Sequence, residues 1–227
     1  MIFRQLFEPD TCTYTYLLGC PRSRRAALID TVHADVKTYV ELLAKLGLSL
    51  LYTLETHVHA DHITGAGLLR LRLGSKSVAH RDGGANCSDL LVTDDVLLQV
   101  GDLDIRILHT PGHTVGCLCY LLNDRVFTGD TLLIGGCGRT DFQGGDPGTL
   151  YESIHGKLFS LPGDTLVYPG HDYQGNTVST IKQEKAKNPR LTGKSRDQFI
   201  ALMNNLDLPY PRYIDQALPA NKNCGSR

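Results

Sequence analysis

The sequence predicts an α/β protein of the α+β kind, built from two mixed β-sheets flanked by helices. Three observations predict it. Strand-like and helix-like segments are interspersed along the whole chain. Many of the strand-like segments are joined by tight turns, whereas a simple doubly wound parallel sheet needs a helical crossover between strands. Finally, 227 residues, of which 41% are hydrophobic and 21% charged, suffice for one sizeable core.

The elements follow in order. Tyr14, Tyr16 and Leu18 alternate with Thr13, Thr15 and Leu17, which reads as a hairpin or meander that turns between Gly19 and Arg25 into AALID. Asp35 is placed to cap a helix with Val36, Tyr39, Val40, Leu43 and Leu46 on one stripe and Gly47 as its stop. LSLLYTLET is an apolar run of buried-strand length leading to His57, and ITGAGLLRLRL fits a second helix. Short strands follow at SVAH, DVLLQV and DIRILHT, the last two joined at Gly101-Asp102, then CLCYLL and RVFTGD around Asn123-Asp124. TLYESIHGKLFSL reads as a helix, TLVYPG as a strand ending at His171, and Ser195 to Asn205 as a helix with a Ser195/Gln198 capping box. The tail from Pro209 is expected to wrap the surface. The predicted organisation is one domain over residues 1–227 with a C-terminal extension from about 190–227.

Composition narrows the function classes. The net charge is −1 with no basic run, which argues against nucleic acid and against an anionic membrane surface as partners. No apolar stretch approaches the ~20 residues of a membrane-spanning helix. The opening residues lack the basic-then-apolar order of a secretory signal. Seven scattered cysteines, an odd number, are expected to be reduced thiols in a cytoplasmic setting. Nothing fixes the oligomeric state, and a homodimer stays open.

The chemistry concentrates in THVHADH. It places His57, His59, Asp61 and His62 within six positions of a chain that holds nine histidines. His57 and His59 share a side by the period of two, and imidazole with carboxylate suits borderline divalent metals. His113 leaves the DIRILHT strand through Pro111-Gly112, Asp130 ends RVFTGD, and His171 ends LVYPG. Four apolar strands each delivering a ligand-type side chain is the pattern of a metal site built from loops on a rigid sheet edge. Counting alone leaves the number of metals open, since seven ligands could hold two ions bridged by Asp130. His33, His80, His109 and His155 have no clustered partners and read as incidental. Cys117 and Cys119 read as buried structural thiols, and Cys137 lies beside a glycine-rich loop.

THVHADH, TPGHT, FTGD and PGHDY in this order resemble the metallo-β-lactamase superfamily, which implies an αββα sandwich with metal at one edge. GDTLLIGGCGRTDFQGGDPGTLYESI, YPGHDYQGNTVSTIKQEKAKNPRLT, NLDLPYPRYIDQALPAN and the near-terminal Cys224 are similar to the persulfide dioxygenases of that superfamily, so the resemblance reaches the C-terminal end. It implies one Fe(II) per chain held by His57, His113 and Asp130, with glutathione persulfide and O2 as substrates and sulfite and glutathione as products. On that reading His59, Asp61, His62 and His171 orient ligands and waters around the iron. The alternative is a glyoxalase II-like hydrolase of glutathione thioesters, in which the same residues hold a second metal. Substrate-binding candidates are Arg139, whose planar fork suits a carboxylate, Tyr173, and more weakly Lys222. Asp172 could equally orient a ligand or bond to its own loop.

Overall fold

The structure, a computed structural model, describes residues 1–225. Strands β1 (Ile2–Glu8), β2 (Thr13–Gly19), β3 (Arg25–Ile29), β4 (Ser49–Leu54), β5 (Lys76–His80) and β6 (Leu90–Val92) lie in that order in one sheet. Strands β7 (Leu97–Val100), β8 (Leu103–His109), β9 (Leu118–Leu122), β10 (Arg125–Gly129), β11 (Leu166–Pro169) and β12 (Ser179–Thr180) form the other, in the order β12-β11-β10-β9-β8-β7. Both are mixed. The hairpins are antiparallel, while β3-β4-β5-β6 and β10-β11 pair parallel.

The period-two alternation explains how the sheets stack. In β2, Tyr14, Tyr16 and Leu18 face the inner core, where they meet Ile105, Ile107, Tyr120 and Phe127 of the second sheet. Leu17 points the other way, onto Val36, Tyr39 and Leu43 of helix α1 (Val36–Leu46) and Leu69 of α2 (Ala66–Leu73). The outer face of the second sheet, with Cys119, Val126 and Val167, carries Leu150 of α3 (Pro147–Ser153) and Phe199 and Met203 of α5 (Arg196–Asn204). The order is therefore helix, sheet, sheet, helix. Each fully buried large apolar side chain contributes roughly 1.5–3 kcal/mol to holding these layers together.

Several expectations are corrected. Asp35 closes a 3-10 turn and its side chain makes no cap bond, although Gly47 does stop α1 in the left-handed conformation at φ 61°. The helix after Gly148 is not uniform, because α3 widens into a π turn over Ile154–Leu158, where the Phe159 amide bonds the Ile154 carbonyl. Strands β6 and β12 and helix α4 (Ile181–Lys187) were not foreseen from the sequence. The tail does not merely wrap the surface: Ile214–Lys222 is helix α6, which buries Ile214, Ala217, Ala220 and Asn221 despite an internal Pro219. Ser226 and Arg227, the end of the expected extension, lie outside the described residues. Cysteine chemistry differs too. Cys87 and Cys224 form a disulfide with Cα atoms 5.9 Å apart, so only Cys12, Cys20, Cys117, Cys119 and Cys137 are free thiols.

Candidate metal centre

The seven motif residues meet at one edge of the sandwich. His57 stands just beyond β4, and the segment carrying it is tied down twice. The Thr56 amide and hydroxyl donate to the two carboxylate oxygens of buried Asp30 at 2.7 and 2.8 Å, and the Thr56 carbonyl accepts from Leu118 of the opposite sheet at 2.7 Å. His113 follows β8 through the Pro111-Gly112 turn. Asp130 follows β10, whose last residue, Gly129, adopts φ 49°. A Cβ there would lie 2.5 Å from the Thr56 hydroxyl oxygen, so glycine is required. His171 follows β11 and bridges back to Thr13.

His57, His113 and Asp130 offer three ligand atoms, all within 4.8 Å of one another. The two imidazoles are held by their rear nitrogens. His57 Nδ1 lies 3.0 Å from the Thr56 hydroxyl, which itself donates to Asp30 and so accepts from the ring. His113 Nδ1 donates to the Arg139 carbonyl at 2.6 Å. Both protons are thereby placed on Nδ1, which leaves each Nε2 lone pair facing Asp130. Asp130 Oδ2 is 3.6 Å from His113 Nε2, and buried Asp130 Oδ1 has no hydrogen-bond partner. Burial, then the charges of His59 and His113, push the His57 imidazolium well below its ordinary range. Burial would raise the Asp130 carboxyl, but His171, His113 and His57 together outweigh it and hold the group low. Two rear-anchored imidazoles and an under-coordinated carboxylate form a donor set fitted to a divalent cation.

The remaining four cluster beside this set. His59, Asp61 and His62 also offer three atoms within 4.8 Å of one another. His59 Nε2 points away from the cleft, to Asp30 at 3.1 Å and Glu55 at 3.4 Å. Burial alone would depress this imidazole, yet the two carboxylates hold it well above its usual range. His62 Nδ1 bonds Asp61 Oδ2 at 2.8 Å, and His171 Nε2 sits between Asp61 and Asp130 at 3.5 and 3.6 Å.

A cleft of about 670 Å³ opens over the centre and is lined by His57, His113 and Asp130 together with Arg139, Tyr173 and Arg190. Arg139 lies there, but its fork closes on Asp141 at 2.6 and 2.7 Å and its Nη1 donates to the Pro209 carbonyl at 2.8 Å. The sequence missed this role: Arg139 orients His113 by its backbone and holds the Pro209 carbonyl by its side chain. Tyr173 is 72% exposed at the cleft, its ring parallel to that of His171. Lys222 is exposed on α6, with its chain beside Gly84, and is not among the residues lining the cleft. It is withdrawn from the substrate-binding set. Asp172 bonds the amides of Gln174 and Asn176 and so shapes its own loop. Cys117 and Cys119 are fully inside, and burial pushes each thiol up to about 12; Cys137, packed against Met203, is pushed up to about 11.

Three further residues escaped the sequence reading. Asp30 ends β3 and could have been noted as a ligand-type residue closing an apolar strand. Gly138 lies in GCGRT, and its amide donates to the Asp130 carbonyl at 2.6 Å; a Cβ there would come within 2.8 Å of the His113 ring. Asn221 belongs to a helix that the sequence pattern did not reveal.

The chain as a whole is similar to several known proteins. Residues 12–171 match the metallo-beta-lactamase superfamily. The chain is 52% identical to the mitochondrial persulfide dioxygenase ETHE1 of Homo sapiens, over 99% of this chain and 89% of that one. A crystal structure of ETHE1 from Myxococcus xanthus superposes with a TM-score of 0.98 at 52% identity, covering 99% of this chain and 100% of the other. A probable hydroxyacylglutathione hydrolase of Schizosaccharomyces pombe is 36% identical over 70% of this chain and 64% of its own length.

Proposed function

The chain belongs to the metallo-β-lactamase superfamily and, within it, to the persulfide dioxygenases, and from that premise we propose that it oxidises glutathione persulfide using a single Fe(II) held by His57, His113 and Asp130. The observation that carries the reading is the pair of rear-anchored imidazoles whose ligand atoms lie within 4.8 Å of a carboxylate oxygen of Asp130. Fe(II) held by these two histidines and one carboxylate would supply dioxygen activation next to the persulfide.

The protein's own share is binding and orientation. The cleft, at about 670 Å³, is roomy enough to take a peptide thiol, and the Arg190 guanidinium on its wall gives a positive field for the substrate's carboxylates, whereas that of Arg139 is paired with Asp141. The Tyr173 hydroxyl stands at the cleft as a donor to the substrate. Burial of His57 and part-burial of Asp130 at the cleft floor limit the bulk water that competes for the reacting sulfur. The overall change balances as persulfide, dioxygen and one water giving glutathione, sulfite and two protons. Two sulfite oxygens come from O2 and one from water, while the sulfur left on glutathione takes up a proton.

His59, Asp61, His62 and His171 act on this reading as orienting groups. The Asp30 and Glu55 carboxylates turn His59 Nε2 away from the cleft. An oxygen electrode tests the proposal. Addition of glutathione persulfide should consume oxygen and release one sulfite per O2. Hydrolysis of a glutathione thioester without oxygen uptake would instead assign the chain to the glyoxalase II-type chemistry.

A further inference from the structure

Helix α6 and the residues after it form the back wall of the metal loop. Asn221 is 3% exposed. Its side-chain amide donates to the His59 carbonyl at 2.8 Å and to the His62 carbonyl at 2.7 Å, and its oxygen accepts from the Thr64 amide at 2.9 Å. One side chain thus uses both donors and its acceptor on three backbone groups of the segment that follows His57. Among the described residues, the His59 and His62 carbonyls have no other hydrogen-bond partner. This segment belongs to neither a strand nor a helix; its far end is tied by an isolated bridge from Thr64 to Val32 and by the His33 amide on the Ile63 carbonyl, and no ladder spans His59 to His62.

The end of α6 is itself held at several points. Leu218 packs on Val58, Ala79 and Ala85. The Cys224 carbonyl accepts from the Gly67 amide at 2.9 Å, and the Gly225 amide returns to the Ala220 carbonyl at 2.9 Å. Gly225 lies so close to the loop that a Cβ would stand 2.2 Å from the Thr64 carbonyl oxygen. The disulfide from Cys224 to Cys87, three residues beyond Asn221, fastens this end to the segment after β5.

We propose that Asn221 is a positioning residue of the metal centre, which sets the backbone from His59 to Thr64 and with it the aim of His59, Asp61 and His62 beside the metal ligands, and that the Cys87–Cys224 disulfide is its anchor. The proposal rests on the reading that the centre holds a divalent metal. A buried amide is suited to the task because it has no charge to repel or attract the ion and has a fixed, planar set of three partners. The groups beside the ligands need such support, because a site whose surrounding groups are held loosely loses affinity even when all donor atoms remain.

The test is Co(II) binding to metal-free protein, read by chelator competition and by the visible absorption of the bound ion. Asn221→Leu should weaken Co(II) at least tenfold and change the shape of the absorption band. Cys87→Ser should weaken it less, with the band moved in the same sense. Phe199→Leu, a core substitution against α3, should lower Tm yet keep wild-type affinity and spectrum. If Asn221→Leu does not fold, Asn221→Asp, which removes both donors in the same volume, is held to the same limits. Co(II) affinity within twofold of wild type in the Asn221 variant, or an equal loss in Phe199→Leu, would overturn the assignment. Failure of the wild-type protein itself to bind Co(II) would instead bring down the metal centre on which the assignment stands.

Discussion

Gly138 illustrates how tightly single residues constrain the centre. Its missing side chain leaves room for the His113 ring, while its amide holds the Asp130 carbonyl, so two ligands from different strands are registered at one position. Gly138→Ala should therefore retain the fold but lose metal at least tenfold more readily than wild type, measured as metal content after dialysis against a chelator. Equal retention would show that the loop relaxes around the methyl group. Thr56→Val tests the anchoring of His57 in the same way. It removes the acceptor for Nδ1 while keeping volume, and a roughly tenfold fall in metal affinity is expected. Arg139 offers a different contrast. Its carbonyl survives any substitution, so Arg139→Ala should keep kcat and raise KM, because only the side chain's bonds to Asp141 and Pro209 on the cleft wall are lost. A collapse of kcat would mean that the side chain acts on the reacting atoms.

At the scale of elements, the strands that deliver ligands were the most legible part of the sequence. β4, β8, β10 and β11 are short apolar runs that stop at His57, His113, Asp130 and His171 after glycine or a tight turn, and each stop is where the structure ends the strand to within a few residues. The α5 capping box was equally readable, since Ser195 and Gln198 bond each other's backbone as the spacing implies. Ser195→Ala should cost about 1 kcal/mol of stability by urea denaturation; no change would mean that α5 is held by Phe199 and Met203 alone. α6 was illegible because its signals are tertiary. Pro219 reads as a helix breaker, and the helix is secured by a disulfide and by one amide that reaches more than a hundred and fifty positions back along the chain. Neither partner can be inferred from local pattern. The same holds for the seven ligands: their convergence was readable, but the division into a set of His57, His113 and Asp130 and a set turned toward Asp30 and Asp61 depends on ring orientation, which no spacing encodes.

The molecule as a whole stacks two sheets between helices and gathers its chemistry at the edge where strands from both sheets end. The buried free thiols give this architecture a pH signature. Burial raises Cys117 and Cys119 to about 12 and Cys137 to about 11. An unfolded thiol ionises near roughly 8.5, so above that pH the unfolded chain binds fewer protons than the folded one, and stability falls as pH rises toward about 11. Each thiol contributes up to about a tenfold loss in the folding equilibrium per pH unit in that window. The urea midpoint should drop from pH 8 to pH 10, and replacing all three cysteines by alanine should flatten the slope. An unchanged slope would show that these thiols are not the groups responsible. The central claim, however, concerns what the gathered ligands hold. The most direct measurement is the metal content of protein purified without oxygen, alongside Asp61→Ala and His113→Ala. Wild type should carry one iron per chain, retained in Asp61→Ala and lost in His113→Ala. Two zinc ions per active chain, or iron lost equally in both variants, would contradict the central claim.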